Sequence, residues 1–322
     1  MSVPTLADSF ESHRSHLLSA AYRLTGSVTD AEDAVQDAWL RLAGADTDRI
    51  DDLRAWLTTV VGRLCLDRLR SATARRERYV GQWLPEPIVT DLTPSAMPDP
   101  LESVVRQGEN RLSALVVLDT LTPDQRVAFV LHDGFGVPFG EIADVLSVSV
   151  ASARQLASRA RRAVADAPPP VPDAVHAEAV TRLMTAMAAG DLDAVLAALH
   201  PDAITIGDAN GTTRTAVNVI TGADHTARFF LGLAHRYGLE TFLAATPALV
   251  NGQLGFVSHG SPGDDTHPGF AGRVTGFTVR DGRVWAAYDI ANPEKHGGIR
   301  LSASPASPTP PSPTAPGTRH RS

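Results

Sequence analysis

Four prolines within five residues, Pro168, Pro169, Pro170 and Pro172, constrain this chain more than any other feature. Each fixes φ and lacks an N–H, so a compact domain interior does not tolerate the run, which reads as a stiff spacer between folded units. The 322 residues suffice for two or three such units. Before the spacer, residues 6–78 carry long apolar-periodic runs interrupted by Gly26, Gly44 and Gly62, and residues 101–166 are helical again. Residues 80–100 between them hold Pro85, Pro87, Pro94, Pro98 and Pro100 and little periodicity, the mark of a linker.

After the spacer the style changes. Residues 173–190 and 191–200 predict two helices, with Gly190 as a left-handed C-cap and Asp191 as a fresh N-cap. Residues 203–207 predict a strand, and 224–237 a helix with Phe229, Phe230 and Leu233 on one face. Strands follow over 241–250, 254–259, 272–279 and 284–290, with Asn251-Gly252 and Asp281-Gly282 as hairpin turns and a Gly/Pro/Asp loop over 260–269. Helices first and a meander afterwards indicate an α+β unit. The Ser/Pro/Thr-rich end, 302–322, predicts disorder.

Composition narrows the function classes. No run of eighteen apolar residues exists, and the N-terminus has acids where a signal peptide needs a basic start, so a soluble cytoplasmic protein is expected. Cys65 is the sole cysteine, which excludes internal disulfides and a cysteine-based zinc site, and the scattered histidines lack metal-ligand spacing. No cofactor or metal is expected. A net charge of −7 argues against nonspecific coating of DNA. Yet the arginines are clumped, Arg68, Arg70, Arg75, Arg76 and Arg78 in one group and Arg154, Arg159, Arg161 and Arg162 in another. Basic clusters on an acidic chain suit phosphate contacts at chosen places.

Residues 121–164 carry the sharpest signal. Thr122 reads as an N-cap with Pro123 at the first helical position, and Val127, Phe129, Val130 and Leu131 give that helix an apolar side. Asp133-Gly134-Phe135-Gly136 is expected to end it as a loop. A short helix over 139–146 buries Ile142, Ala143 and Leu146, Ser147-Val148-Ser149 turns, and Ser149 caps a longer helix running to about Asp166. Two helices with a tight turn, the second presenting Ala151, Ser152, Arg154, Gln155, Ser158, Arg159 and Arg162, make a helix-turn-helix. Arginine and glutamine bond base edges bidentately, while serines and further arginines hold phosphates.

Residues 118–164 resemble sigma region 4, which implies Ser152, Arg154, Gln155, Ser158, Arg159 and Arg162 as contacts to the promoter −35 element. The stretch 29–42, which contains Asp30-Ala31-Glu32-Asp33-Ala34-Val35-Gln36-Asp37, is similar to the sigma region 2 helix that binds the polymerase β′ clamp. There Asp33, Gln36, Asp37 and Arg41 can share an exposed face, while Ala34, Val35 and Ala38 face the bundle. Residues 53–70 resemble the family's promoter-melting and −10 helix, with Arg54, Arg63, Arg68 and Arg70 as backbone anchors and the loop 47–52 beside them for an extruded base. Trp56 and Cys65 read as packing residues.

Tyr79-Val80-Gly81-Gln82-Trp83-Leu84-Pro85-Glu86-Pro87 looks like the linker of SigJ-like extracytoplasmic-function sigma factors, which carry a SnoaL-like domain after region 4. Asn292-Pro293-Glu294-Lys295 resembles that subgroup's NPDK-type motif. The resemblance implies a multidomain chain: two all-α sigma domains, a helical bundle (1–78) and a helix-turn-helix (101–167), joined by the linker 79–100. The spacer 168–172, an α+β SnoaL/NTF2-like cone (173–296) and a disordered tail (297–322) follow. It implies core RNA polymerase (β′ clamp helices and β flap) and promoter DNA as partners. Regulation is implied at Trp83, Leu84, Pro85, Glu86 and Pro87 of the linker and at Asp208, Asn292, Pro293, Glu294 and Lys295. The subgroup's DGGGK-like string is departed from here, reading Asp208-Ala209-Asn210-Gly211-Thr212, so a contact of this loop is expected to do without a lysine salt bridge.

Some relatives of the cone fold are enzymes that use Asp or His within an apolar pocket. His200, Asp202, Asp208, His225, His259 and Asp289 could supply such groups, if two or three converged in a cleft. Two alternatives therefore stand beside an initiation factor: an isomerase- or cyclase-type enzyme fused to a DNA-binding regulator, and a conventional helix-turn-helix repressor. The resemblance implies regulation, and the layout offers a mechanism for it, with the cone docked on Trp83-Leu84-Pro85 at high effective concentration and a small ligand in the cone as an input.

Overall fold

A computed structural model describes residues 5–76, 79–93, 100–106, 110–165, 167–240 and 244–302, without the side chains of 73–76 and 106. Of the expected features, Arg78, Pro94, Pro98 and residues 303–322 lie outside the described residues, as do the side chains of Arg75 and Arg76.

The first three helices are α1 (Leu6–Thr25), α2 (Val28–Ala43) and α3 (Leu53–Arg76). Thr5 and Asp8 form a reciprocal capping box at the start of α1, Gly26 ends it at φ 68°, and Ser27 caps α2. A short helix α4 (Pro100–Arg106) returns onto α1. Next come α5 (Leu112–Leu118), α6 (Pro123–Phe129), α7 (Phe139–Leu146) and α8 (Val150–Val164). Thr122 and Ser149 cap as the sequence indicates, and Ser147 makes the turn in the left-handed region at φ 55°. One local expectation fails. The helix of Val127 does not end in a loop at Asp133 but widens into a π-helical turn, Val130–Gly134, whose Val130 and Leu131 stay buried.

Beyond the prolines lie α9 (Asp173–Ala189), α10 (Leu192–Ala198) and α11 (Ala223–Tyr237), packed on an eight-stranded sheet. Its strands are β1 (Val89–Thr90), β2 (Leu199–Asp208), β3 (Ile220–Thr221), β4 (Thr246–Val250), β5 (Gln253–Gly263), β6 (Pro268–Arg280), β7 (Arg283–Ile290) and β8 (Ile299–Arg300), in the order β3-β2-β7-β6-β5-β4-β1-β8. Asn251-Gly252 and Asp281-Gly282 are left-handed turns, as their sequences require. Two all-α units followed by this α+β unit are the expected fold class.

The sheet also holds three departures from the sequence reading. The presumed loop 260–269 is mostly strand, because Gly260, Ser261 and Gly263 of β5 pair with Ala271, Phe270 and Pro268 of β6. The linker is not a bare tether: Val89 and Thr90 form β1, antiparallel to β4 and parallel to β8. And β8 lies in the stretch expected to be a disordered tail, ordered by that pairing with Val89.

Burial explains how the parts meet. One apolar core runs through α1–α3 and on into α4–α8, joining Leu17, Val61 and Leu69 to Leu131, Ile142 and Ala157. A second lies between α9–α11 and the sheet. A third covers the other sheet face, where Leu84 and Val89 of the linker and Leu112 of α5 pack against Val250, Val274 and Tyr288.

Candidate nucleic-acid interface

The polymerase-facing candidates form one patch on α2: Asp33, Gln36 and Arg41 are exposed and Asp37 is half-exposed, while Ala34, Val35 and Ala38 are buried beneath them. Asp37 is engaged, since Arg68 Nη2 of α3 donates to its carboxylate at 2.9 Å. A residue expected at polymerase and one expected at the −10 element are thus paired with each other.

On α3, Arg54, Arg63 and Arg70 are exposed. Arg54 Nη2 donates to His16 Nδ1 at 3.1 Å, and His16 Nε2 lies 3.1 Å from Thr58 Oγ1. Burial and the Arg54 charge press the His16 pKa down to about 4. Arg70 Nη2 donates to Asp124 Oδ1 of α6 at 3.0 Å. The loop beside them makes a short turn, Thr47–Arg49, with Thr47–Arg49 and Asp51–Asp52 exposed. Trp56 packs against the core, and burial pushes the Cys65 thiol up to about 12, so both are structural.

The helix α8 turns Ala153, Ala157 and Ala160 inward and Arg154, Gln155, Ser158, Arg159 and Arg162 outward. Small residues on the inner face let α6 and α7 approach closely. Ser152 is half-buried and shares its hydroxyl with the Ser149 cap at 2.9 Å. The Arg154 guanidinium lies over the Phe139 ring, 5.7 Å from its centroid, which holds it at the helix surface. Arg161 is tied to Asp133 at 2.8 Å and belongs to the fold rather than to the outward set.

These two arginine-bearing modules are packed together. Gly62 in the middle of α3 sits against Leu131, and a Cβ there would come within 2.9 Å of Leu131 Cδ1. Thr59 Oγ1 donates to Glu141 of α7 at 2.9 Å. Arg126, 1% exposed, is ion-paired with Asp119 and donates through Nε and Nη2 to the Arg23 carbonyl at the end of α1, at 3.2 and 3.1 Å. The sequence reading missed Arg126; its place on the apolar side of a helix was the one available signal.

The linker is clamped from both sides. Glu86 accepts from Ser27 Oγ at 2.8 Å, Val28 N at 2.7 Å and Thr29 N at 3.3 Å, so its carboxylate caps α2 from a distance in sequence. Burial nonetheless raises the Glu86 pKa. Leu84 N donates to Asp208 Oδ2 at 2.7 Å, and Tyr79 OH bonds the other oxygen. Lys295 Nζ reaches the Leu84 carbonyl, bonds Asp208 Oδ2 at 2.6 Å, and lies 3.3 Å from the Trp83 ring centroid. The expectation that this loop lacks a lysine salt bridge is therefore corrected: the lysine comes from the second motif, Asn292-Pro293-Glu294-Lys295, brought alongside by β7. Asn292 Nδ2 donates to Tyr79 OH at 2.9 Å, Pro85 and Pro87 are buried, and Pro293 and Glu294 are exposed.

Asn251, read from sequence as a turn residue only, is a buried junction. Its Oδ1 accepts from Ile88 N at 3.1 Å, and its Nδ2 donates to Tyr22 OH at 2.8 Å and to Asn110 O at 2.7 Å. One side chain thus joins α1, the linker and the approach to α5.

The six acid–base candidates do not converge. His200 lies in β2, largely buried, with Nε2 3.6 Å from Asp281 at the β6–β7 turn, Asp202, His225 and His259 are exposed, and Asp208 is spent on the linker. Asp289 alone lines the cavity of the α+β unit. Among the described residues no group of three His, Cys, Asp or Glu side chains could hold a metal, and no helix is long and apolar enough to cross a membrane.

Residues 9–75 match the family model of Sigma-70 region 2, and residues 111–164 that of Sigma-70, region 4. The chain is 57% identical over 302 residues to the ECF RNA polymerase sigma factor SigJ of Mycobacterium tuberculosis, covering 93% of this chain and 96% of the relative. It is 37% identical over 293 residues to the probable ECF RNA polymerase sigma factor SigI of the same species, covering 88% and 92%. The crystal structure of Mycobacterium tuberculosis SigJ superposes with a TM-score of 0.79 at 54% identity, covering 92% of this chain and 100% of that one.

Proposed function

This chain belongs to the family of extracytoplasmic-function RNA polymerase sigma factors and acts in transcription initiation; from that premise we propose that the structure is its closed, promoter-free form, held shut by its own C-terminal domain. One relationship carries this. Helix α3 packs on α6 and α7, and α8 packs on the same two helices, so at interaxial distances of 8–10 Å the −10 and −35 helices lie within roughly 20–30 Å. The promoter elements they read are separated by roughly 80 Å of B-form duplex, at 3.4 Å per base pair. Both cannot be engaged until α3 and α6 part.

In this reading Asp33, Gln36, Asp37 and Arg41 meet the β′ clamp helices, and the region of α6–α8 meets the β flap. Arg54, Arg63, Arg68 and Arg70 hold the −10 backbone, while Arg154 and Gln155 read −35 bases with Ser152, Ser158, Arg159 and Arg162 on phosphates. Opening releases Arg70 from Asp124 and Thr59 from Glu141, so contacts that close the protein are exchanged for those that bind the promoter, while the Arg68–Asp37 pair, internal to the α1–α3 bundle, gives way only as polymerase and DNA take up its two partners. The C-terminal domain acts through Asp208 and Lys295 on the linker, and through Glu86 on α2. It regulates rather than catalyses, in the cytoplasm, and a small ligand in its cavity is the natural input.

Two spin labels test this, at Ser71 on α3 and Ala163 on α8, in full-length protein with Cys65 replaced by Ala. Run-off transcription with core polymerase establishes that the labelled protein initiates. Pulsed dipolar spectroscopy is then expected to give a short distance in the free protein and one longer by tens of ångströms in the promoter complex. An unchanged distance in an initiating complex rules out the closed-form reading.

A further inference from the structure

The C-terminal domain encloses a cavity of about 100 Å³ that the sigma machinery does not use. Met184 and Met187 of α9, Phe229 and Leu233 of α11, and Phe256 and Phe277 of the sheet form its apolar walls. Against these walls stands one ion pair. Asp289 Oδ2 accepts from Arg273 Nη1 at 3.0 Å and from Thr215 Oγ1 at 2.7 Å.

The pair is only half satisfied. Asp289 Oδ1 and Arg273 Nη2 are shut off from solvent and have no partner among the described residues, and the same holds for Thr205 Oγ1. All three belong to residues lining this cavity. A buried polar group without a partner costs on the order of 1–3 kcal/mol, so three on one cavity call for an occupant that bonds them.

We propose that this cavity binds a small uncharged molecule of about one aromatic ring, whose hydroxyl is held between Arg273 and Asp289. The charges decide the class. Arginine and aspartate already neutralise each other, so a carboxylate would be set against Asp289 and an amine against Arg273. A hydroxyl both donates to Asp289 and accepts from Arg273. Size caps the rest: at about 100 Å³ the cavity is smaller than the engineered one of roughly 150 Å³ that admits a single benzene, so one ring is the upper limit and enters as the wall yields, while drug-sized ligands, which need roughly 300 Å³ or more, are excluded. The two methionines, flexible and polarisable, let the wall adjust to a flat ring.

The site also has an outlet. In the β2–β7 register Gly207 faces Asp289 and Asp208 faces Ile290, so the occupant's partner is one strand position from the residue that grips Leu84. This consequence deepens the closed-form reading and rests on it, whereas binding itself does not.

The full-length chain labelled at the methionine methyl carbons gives the test, because Met184 and Met187 are two of only four methionines. The probes are p-cresol, toluene and p-toluate, with Met184→Leu and Met187→Leu assigning the signals. The expected result is saturable shifts of these two methyls with p-cresol, at least tenfold weaker binding of toluene, and none of p-toluate. Ala287→Leu, which fills the cavity, is expected to abolish the shifts; if that variant fails to fold, Thr205→Val is expected to weaken p-cresol severalfold with toluene unchanged. No saturable shift at Met184 and Met187, or toluene binding as tightly as p-cresol, overturns the proposal. The spin-label distance is a separate readout, so failure of the cavity and failure of the closed form are told apart.

Discussion

The only lysine of the chain, Lys295, lies 2.6 Å from the carboxylate of Asp208, and both side chains are almost wholly buried. A buried ion pair is weak evidence of net stability, but removing one partner strands the other, at about 3–5 kcal/mol. Here the stranded charge would be Asp208, which also holds Leu84 N. Lys295→Met is therefore expected to destabilise the chain by about 3–5 kcal/mol in urea unfolding, and the double variant Lys295→Met/Asp208→Asn to recover part of it. If the double variant loses as much as the sum of the singles, the pair is not coupled.

Gly62 offers a way to separate the modules without touching a charged residue. A glycine inside a helix costs about 1 kcal/mol relative to alanine, and its place here follows from the approach of Leu131. Gly62→Leu should wedge α3 from the π-helical turn, raising the radius of gyration in X-ray scattering and increasing run-off transcription at limiting core polymerase. An expanded protein with reduced transcription would show instead that the contact supports the active form.

The contrast between these residues shows how far the sequence could be read. Caps such as Thr122 and Ser149, and turns such as Asn251-Gly252, depend on neighbours within a few positions, so composition and spacing reveal them. The amphipathic faces of α2 and α8 were legible for the same reason. Glu86 and Lys295 are singled out by resemblance alone and Arg126 not at all, because Ser27, Asp208 and the Arg23 carbonyl, which they meet, lie 59 or more residues away and their worth appears only when the parts fold together. Strand β1 was hidden differently: two residues carry no alternation, and only pairing with Val250 and Ile299 makes Val89 a strand. The helical core that unites α3 with α6 was equally invisible, since an apolar helix face does not say which partner it covers.

Asp124 bears on DNA binding through Arg70. Their pair is half-exposed, so Asp124→Ala is expected to change stability by no more than about 1 kcal/mol. Arg70 leaves Asp124 for phosphate in the promoter complex, so Asp124→Ala is expected to tighten promoter binding at an unchanged log–log salt slope, whereas Arg70→Ala lowers that slope by about one, read by fluorescence anisotropy with the polymerase complex. An unchanged slope in Arg70→Ala means Arg70 does not reach the backbone.

His16 gives a pH signature. Its folded pKa of about 4 lies below its ordinary 6.5, so its contribution is fully present above pH 6.5 and is lost as pH falls from there to about 4, where the unfolded chain takes the proton first. Partial exposure screens the effect, leaving about 1–2 kcal/mol across that window. Thermal unfolding of His16→Gln is expected to show a correspondingly shallower loss between pH 6.5 and 4. Parallel curves for the two proteins would remove His16 as the titrating group.

In the proposed function the outward face of α8 divides into base reading and phosphate anchoring. Arg154 is oriented by the Phe139 ring, and a guanidinium so placed bonds a guanine edge bidentately, a geometry that lysine cannot reproduce. Arg154→Ala and Arg154→Lys are both expected to cost about 1–3 kcal/mol at one −35 position and to relax preference there. Arg162, farther along the helix, should act on phosphate: Arg162→Ala weakens binding to every −35 variant alike and lowers the salt slope by about one. Arg161→Ala is the control, because Asp133 already holds that side chain. A panel of single-base −35 substitutions, transcribed with each variant at two salt concentrations, distinguishes the roles. If Arg154→Ala depresses all templates equally, α8 meets DNA through its backbone alone and the base-reading assignment of Arg154 falls.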